Sequence, residues 1–393
     1  MNKKITLGLA LSLVMIASAV TFILTSFFTL QSFNEKVVDV NEKSKKYSAL
    51  NTLDAYVRDN YYGDIDEEVL NDGILKGYVA GIGDRYSRYL TEDEFQSEIT
   101  RDNGEQIGLG LTLSEDVSGY LRIVSVLPDS PASDEGVKAD DIIVRVDGLD
   151  VKETGFDEAL NSMSGSEGDS IKLTIRRNGV DTDYTFIRRS IELHSVSGEM
   201  LSGYYGYIKL SAFRKNTPEQ FMEILGRLTS NGAKALIFDL RNNGGGLTSA
   251  LEECLDPLLP EGVMATAEYK DGHTETLIYS DESMIDLPII VIVNENTASS
   301  AEMFAACLRD FRGAKLVGTK TFGKAVMQQT ASFDRGGAVV LTVAVCKTNV
   351  SETYNGIGLV PDIILENDDD DETDEQYEAA VEAAAQALSQ PAA

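Results

Sequence analysis

Residues 287–302 read LPIIVIVNENTASSAE and combine two patterns. The segment begins with a continuous apolar run rich in β-branched side chains, which is typical of a strand buried on both faces. From Ser299 to Phe311 the pattern predicts a helix. Ser299 therefore lies where a buried strand turns into a helix. The free N–H groups and the dipole at a helix N-terminus favour a developing negative charge there.

A second reactive side chain, that of Lys324, follows the next predicted strand, Ala314–Thr319. Serine becomes a good nucleophile when a neighbouring base removes its proton. Lysine can be that base when burial or nearby positive charge lowers its pKa from about 10.4 to roughly 7–8. Gln328 lies four residues beyond Lys324, on the same face in a helix or a strand, where an amide can orient the amine.

Two other interpretations of Ser299 compete with a serine–lysine pair. The chain has two histidines, His194 and His273, and neither lies in a recognisable catalytic context. A lysine base is therefore favoured over a Ser-His-Asp arrangement. The remaining alternative is that Ser299 only caps the helix, as serine before a helix usually does.

The carboxyl-terminal half alternates between predicted strands and helices, which indicates an α/β core. The strands are Tyr205–Leu210, Ala235–Leu240 and Pro288–Val293, and the helices are Pro218–Thr229, Thr248–Leu259 and Ser299–Phe311. Reactive loops of such folds lie at the carboxyl ends of the strands. Ser299 and Lys324 are therefore expected to meet at that end of the sheet.

These segments together resemble the carboxyl-terminal processing peptidases, also called tail-specific proteases, a family of serine peptidases with a PDZ domain. The resemblance rests on the stretches Asn294–Glu302, Val317–Gly318 and Thr321–Lys324 and on the single residues Asp310 and Gln328. It implies that Ser299 is the nucleophile and Lys324 its base. It also implies that Gln328 is the third residue, which orients the lysine.

Residues 239–247, DLRNNGGGL, resemble the second signature loop of that family. The resemblance implies an oxyanion hole formed by the N–H of Gly245, or alternatively Gly246, and by the N–H of Ser300. Glycine permits the close backbone approach that such a hole requires.

Two positions depart from the family pattern. Gly244 stands where the family often has proline, and Ala325 follows the lysine where the family often has glycine. Both changes affect loop stiffness or pocket shape, and neither removes a reacting group. Asp310, near the end of the helix, is interpreted as structural rather than catalytic.

Residues 104–190 resemble a PDZ module placed ahead of the protease core. PDZ domains bind a C-terminal peptide as an added strand, and a glycine-containing loop binds its carboxylate. Here that loop is expected at Gln106, Ile107, Gly108, Leu109 and Gly110. Relatives often have Arg-Gly where this chain has Ser164-Gly165. If that arginine transmits a signal from the PDZ domain to the active site, this protein must transmit the signal through other residues.

The N-terminus has the pattern of a membrane anchor. Lys3 and Lys4 precede residues 5–30, a charge-free stretch longer than the roughly 20 apolar residues that span a bilayer. The positive flank predicts a cytoplasmic N-terminus and a single-pass protein whose catalytic domain lies outside a bacterial cell membrane. Residues 17–19 offer a signal-peptidase site as an alternative. The apolar run continues to Leu30, which favours an uncleaved anchor.

The predicted fold class is α/β, with five segments. Residues 1–36 form a cytoplasmic stub and transmembrane anchor, 37–103 the helical N-terminal part of the protease, 104–190 an inserted, mostly β PDZ domain, 191–366 the α/β serine protease core, and 367–393 an acidic linker and C-terminal helix. The Ala- and Glu-rich stretch Glu375–Ser389 predicts that helix.

Composition narrows the possible partners. The formal net charge of −30 argues against nucleic acid, because the phosphate backbone repels such a surface. Three cysteines offer no paired framework, and no His/Cys cluster has the spacing of metal ligands. The acidic run Asp368–Asp371 favours calcium only weakly. We therefore expect neither a metal nor a cofactor.

Together these patterns predict a membrane-anchored serine endopeptidase that binds the exposed apolar C-terminal tails of protein substrates and cuts near them. One alternative is a catalytically silent or partner-activated PDZ adaptor on the membrane. Another is a protease dedicated to one regulatory substrate. A homo-oligomer or a regulatory partner is compatible with the helical arm predicted over Val37–Tyr62.

Overall fold

The computed structural model describes residues 18, 21, 25, 45, 47–333, 336–368 and 373–389. The chain divides into two compact units, residues 1–71 and 72–393. In the first unit, residues 47–60 are helical. Among the described residues, no helix is both long enough and apolar enough to cross a membrane. The anchor expected at residues 5–30 lies outside the described residues, apart from three isolated positions.

The helices are, in chain order, α1 (Glu67–Ala80), α2 (Glu92–Asp102), α3 (Pro131–Asp134), α4 (Val151–Thr154), α5 (Phe156–Ser162), α6 (Thr217–Ser230), α7 (Thr248–Leu255), α8 (Ser300–Arg312) and α9 (Glu375–Ser389). The strands are β1 (Arg88–Leu90), β2 (Glu105–Gly108), β3 (Leu111–Glu115), β4 (Leu121–Val126), β5 (Ile142–Val146), β6 (Leu149–Asp150), β7 (Ser170–Arg177), β8 (Val180–Ile187), β9 (Arg189–Glu192), β10 (Val196–Leu201), β11 (Tyr205–Leu210), β12 (Ala235–Asp239), β13 (Gly262–Tyr269), β14 (Thr274–Ser280), β15 (Ile289–Val293), β16 (Lys315–Gly318), β17 (Val326–Ser332), β18 (Ala338–Thr348) and β19 (Ile363–Ile364).

A six-stranded sheet with the order β10-β11-β12-β15-β16-β19 forms the protease core. Its strands from β11 to β19 are parallel, and β10 joins as an antiparallel edge strand. Every residue of β12 and β15 is buried, as continuous apolar runs predict for parallel strands covered on both faces. The predicted α/β core is confirmed.

Helices cover both faces of this sheet. On one face, α6, α7 and α8 contribute to a large buried cluster that includes Phe221, Leu251 and Phe304. On the other face, alanines of α9 pack against Ile237 and Ile292. The α9 helix therefore completes the layered core, and its observed bounds equal those predicted from its Ala- and Glu-rich pattern.

A second, antiparallel sheet with the order β1-β18-β13-β14, to which β17 adds by pairing with β18, was not predicted. Its strands come from distant parts of the chain, since Arg88 in β1 pairs with Val340 in β18. The sheet places β17, the strand that follows Lys324, beside the core. The pairings of β18 with β1 and β13 join distant parts of the chain, so the local pattern could not reveal them, whereas β17 and β18 are consecutive strands of a hairpin.

Five strands, β3-β4-β5-β7-β8, form a separate antiparallel sheet, and β6 pairs with β5. This sheet has its own buried cluster, which includes Leu121, Ile143, Leu173 and Phe186. The strands β2 and β9 pair at the two ends of the module. The region expected to be an inserted, mostly β module therefore has a core of its own.

One predicted helix ends early. The expected helix Thr248–Leu259 is α7, which ends at Leu255 and continues as a 3₁₀ turn over Asp256–Leu258. Pro257 lies in that turn and has no N–H to donate to an α-helical ladder, which explains the change.

Candidate active site

A cavity of about 270 Å³ contains the residues that the sequence singled out as reactive. Its lining includes Ser299, Ser300, Lys324, Gln328 and Gly246. These residues come from the loops after β12, β15 and β16 and from the start of β17. The carboxyl ends of adjacent parallel strands thus bring together segments that are far apart in sequence.

Ser299 has a strained backbone, with φ 58° and ψ −120°. Ordinary helix-capping serines have extended backbone angles, so a simple capping role does not account for this conformation. Such strain in a residue other than glycine is concentrated at functional sites, and sharp strand-to-helix turns present nucleophilic serines in other hydrolases. Its N–H donates to Glu302 Oε2 over 3.0 Å, and the side chain is half-buried beside the cavity.

Lys324 is half-buried, and its Nζ lies 4.8 Å from the centre of the Tyr86 ring. Burial lowers the pKa of Lys324, and the positive charges of Arg88 and Arg85 lower it further, against the opposing effect of Asp84 and Glu302. A lowered pKa is the property that a lysine base requires.

Ser299 and Lys324 line the same cavity, but no hydrogen bond between Ser299 Oγ and Lys324 Nζ is present among the described residues. Hydrogen bonds of catalytic groups often tighten only when substrate binds. Both residues therefore lie at one cavity, without the hydrogen bond through which the proton would be transferred.

Gln328 points its amide at other partners than Lys324. Its Nε2 donates to Val326 O and to Thr342 Oγ1, both at 3.3 Å. Thr342 Oγ1 in turn donates to Asp84 Oδ2 over 2.7 Å. The predicted contact between Gln328 and Lys324 is not among the hydrogen bonds of the described residues, although both side chains face the same cavity.

The glycine loop approaches the start of α8 closely. Gly245 has φ +98°, and a Cβ added there would lie 2.9 Å from both Ser299 Cβ and Ser300 N. Only glycine fits this position. Ser300 is the first residue of α8, so its N–H has no acceptor within the helix.

The N–H of Gly245 is already used in this structure. It donates to Asn243 Oδ1 over 2.8 Å, while Asn243 Nδ2 donates to Leu210 O. Gly245 can serve as an oxyanion donor only if this bond breaks. Gly246, the alternative donor, lines the cavity, and Ser300 Oγ donates to its carbonyl oxygen.

Two contributions to the site were missed in the sequence. The segment Asp84–Arg88 surrounds Lys324 with charge and an aromatic ring. Glu302, quoted only as part of a motif, accepts hydrogen bonds from both reactive loops. Arg85 and Arg88, on either side of Tyr86, were a usable sign of a lysine base in the sequence, because nearby positive charge lowers the pKa of a lysine.

The remaining candidates lie outside this chemistry. Asp310 accepts hydrogen bonds from Thr348 and Ser351, which is a structural role. His273 is exposed between two carboxylates. Cys346 lines the cavity, but burial raises the pKa of its thiol to about 11, so it stays protonated.

A second cavity, of about 380 Å³, lies in the β module. It is lined by all the residues expected to bind a peptide carboxylate, Gln106, Ile107, Gly108, Leu109 and Gly110. Leu160 and Met163, on and just after α5, form the opposite wall. The groove thus lies between the glycine-containing segment and a helix, and Leu109, Leu160 and Met163 contribute apolar side chains to its lining, an arrangement like that of peptide-binding PDZ grooves.

Comparison with known proteins extends these observations. The family model "Peptidase family S41" matches residues 204–365, and a PDZ domain model matches residues 122–177. The chain is similar to the carboxy-terminal processing protease CtpA of Bacillus subtilis (strain 168), with 31% identity over 356 residues, covering 90% of this chain and 76% of the relative. A carboxyl-terminal-processing protease of Picosynechococcus is 32% identical over 320 residues, covering 77% of this chain and 76% of the relative.

The solved structure of a putative S41 protease from Bacteroides fragilis NCTC 9343 shares the fold, with a TM-score of 0.51 and 18% identity, covering 84% of this chain and 91% of that one. The sequence matches span most of both chains. The S41 model covers Ser299, Lys324 and Gln328, and the PDZ model covers the helix side of the groove. This chain therefore belongs to the carboxy-terminal processing proteases, serine proteases of peptidase family S41 that carry a PDZ domain.

Proposed function

We propose that this chain is a membrane-anchored, extracytoplasmic serine endopeptidase that binds protein C-termini in its PDZ groove and cleaves near them. The observation that carries the proposal is the cavity in which a strained Ser299 and a half-buried Lys324 of lowered pKa lie together. Ser299 is the nucleophile and Lys324 is its base. Gln328 is the third residue, which orients the lysine.

The reaction follows from these roles. Lys324 Nζ takes the proton of Ser299 Oγ as Oγ bonds to the scissile carbonyl carbon. The N–H groups of Ser300 and Gly245 stabilise the oxyanion once Gly245 leaves Asn243. The lysine then gives its proton to the leaving amine as the C–N bond breaks. Water, deprotonated by the same lysine, hydrolyses the acyl-enzyme.

The PDZ groove supports recognition of an apolar tail. Its strand side carries Ile107 and Leu109, and its helix side carries Leu160 and Met163. A tail that pairs with the strand presents its last side chain to these apolar groups and its carboxylate to the glycine loop. A charged last residue would lose its hydration without gaining a partner.

The location is proposed from the N-terminal sequence. Two lysines followed by the charge-free residues 5–30 support a single-pass anchor, with the catalytic part outside the membrane. The limits between the five segments, at residues 36, 103, 190 and 366, are likewise proposed from the sequence.

The test uses the full chain in detergent and an unfolded protein substrate that ends in apolar residues. Mass spectrometry of the products should show fragments shortened from the C-terminal side with the parent chain. Ser299→Ala should produce none. The matched control Ser230→Ala, at an exposed serine at the end of α6, should cleave as the parent does.

Lys324→Ala should abolish cleavage and still bind the tail, and a substrate with a charged tail should be spared by the parent chain. Cleavage by Ser299→Ala at the parental rate contradicts the nucleophile assignment. An uncleaved but bound substrate with the parent chain would instead favour the silent or partner-activated PDZ adaptor.

A further inference from the structure

The carboxylate of Glu302 lies between the two reactive segments. Glu302 is the third residue of α8, and its side chain is fully buried. Its Oε2 accepts hydrogen bonds from the N–H groups of Ser299 (3.0 Å) and Lys324 (2.8 Å). Its Oε1 accepts from the N–H of Gly323 (2.7 Å) and from Thr321 Oγ1 (2.6 Å). One carboxylate thus binds the main chain of the nucleophile and of the base at once.

Helix capping explains only a part of this arrangement. A glutamate at this position of a helix commonly accepts from the N–H of the residue at the cap, here Ser299. The other three donors belong to residues 321–324, a loop that follows β16. A helix cap has no need of them, so they require a separate reason.

The carboxylate is also fully satisfied. It offers about four acceptor sites, and four donors occupy them. Burying a carboxylate without partners would be strongly unfavourable, so the two segments cannot separate without leaving it unsatisfied. The bonds therefore hold the turn at Ser299 and the loop at Lys324 in one relative position.

We propose that Glu302 is a positioning residue, which fixes the base loop against the nucleophile turn so that Lys324 can reach Ser299. This inference rests on the proposed roles of Ser299 and Lys324. Glu302 itself contacts neither reacting atom, and it acts through the main chain of both residues.

The charge of Glu302 gives the proposal a second signature. Four charged groups act on Lys324: Arg88 and Arg85 lower its pKa, and Asp84 and Glu302 raise it, while the ring of Tyr86 is uncharged. Glu302→Gln removes one of the two negative charges and leaves the other three groups in place. The pKa of Lys324 then falls, so the lysine stays neutral to lower pH, and the acid limb of the activity profile moves down.

The experiment measures kcat, KM and their pH dependence for the full chain and for Glu302→Gln. We expect kcat to fall about 100-fold through misplacement of the base, with KM within about twofold of the parent. The acid limb should lie at lower pH than in the parent. A purely structural role predicts less folded protein, with the parental kcat and KM per folded molecule.

The matched control is Asp310→Asn, which removes another buried carboxylate from the same helix, one that does not line the cavity. Per folded molecule it should keep the parental kcat within about twofold and the parental acid limb. Ser299→Ala and Lys324→Ala are measured in parallel. Activity in either of those two overturns the proposed function and the inference together. If both are inactive while Glu302→Gln keeps the parental kcat and limb, the inference alone is overturned.

If circular dichroism shows that Glu302→Gln does not fold, Thr321→Val decides the question. This variant keeps the carboxylate and removes one of its four donors. We expect a loss in kcat of about tenfold with an unchanged KM, since one hydrogen bond to a charged group is lost. A folded Thr321→Val with parental kcat overturns the proposal.

Discussion

Lys324 owes its lowered pKa to its surroundings rather than to its own segment. Burial is the main cause, and Arg88 and Arg85 add to it from a stretch of chain more than 200 residues upstream. Arg88 also pairs with Glu98, which keeps it beside the cavity. In a lysine-dependent protease, activity should decline in acid as this amine takes up a proton.

Replacing Arg88 should therefore change the pH profile. The guanidinium of Arg88 lowers the pKa of Lys324, so Arg88→Gln should raise it, and neutral lysine should appear only at higher pH. The acid limb of kcat/KM should move to higher pH, opposite to the shift expected for Glu302→Gln. The measurement is kcat/KM as a function of pH, with Arg122→Gln in the β4 strand, paired with Asp116, as the control. An acid limb that does not move in Arg88→Gln rules out this electrostatic account.

The residues of the site differ in how far the sequence could predict them. Ser299, Lys324 and the glycine loop were placed in one cavity because their positions follow from parallel strands, whose carboxyl ends share an edge. The partner of Gln328 was not predicted, because the hairpin of β17 and β18, which places Gln328 opposite Thr342, was not identified in the sequence. The engagement of Gly245 with Asn243 was missed for a related reason, since the amide orientation follows from a bond to Leu210.

At the scale of elements, local sequence patterns predicted the strands and helices that have a continuous apolar run or a composition typical of a helix. The apolar run of β15 and the Ala- and Glu-rich α9 were both identified with bounds within about two residues. The antiparallel sheet around β18 was missed. In β18 buried residues are interrupted by partly exposed ones, and its partners β1 and β13 lie far away in sequence.

The α9 helix is the only covering that the described residues provide for one face of the central sheet. Small side chains let it approach closely: Ala380 and Ala384 are fully buried against Ile237 and Ile292. Asp374, just before the helix, forms an ion pair with Arg241. The carboxyl-terminal helix therefore belongs to the protease fold rather than to a separate tail.

A charge on the inner face of α9 should weaken the fold. Ala384→Asp places a carboxylate without a partner in an apolar interface and should lower the free energy of unfolding by about 3 kcal/mol. Ala385→Asp makes the same change at the next residue, which is exposed, and should have an effect within about 0.5 kcal/mol of zero. Urea titration followed by circular dichroism measures both. Equal losses in the two variants would mean that α9 does not pack on the sheet as described.

At the scale of the whole molecule, the unit of residues 72–393 contains separate hydrophobic cores. One buried cluster lies around the central sheet, and another lies within the PDZ domain, and they share no residue. The pair β2–β9, at the two ends of the PDZ module, links that module to the rest of the protease. Because each core is formed by its own residues, local stability should differ between the PDZ domain and the central sheet.

A cavity in one core should therefore loosen that part alone. Leu173 and Leu236 are both fully buried, the first in the PDZ sheet and the second in the central sheet. Truncation of a buried leucine to alanine costs about 2–5 kcal/mol. Leu173→Ala should speed amide hydrogen exchange in β3 to β8 and leave β11, β12 and β15 unchanged, and Leu236→Ala should do the reverse. Mass spectrometry of peptic fragments gives both readouts from one sample. Faster exchange throughout the unit in both variants would show that the two cores open together, and that a tail bound in the PDZ groove acts on a single cooperative body.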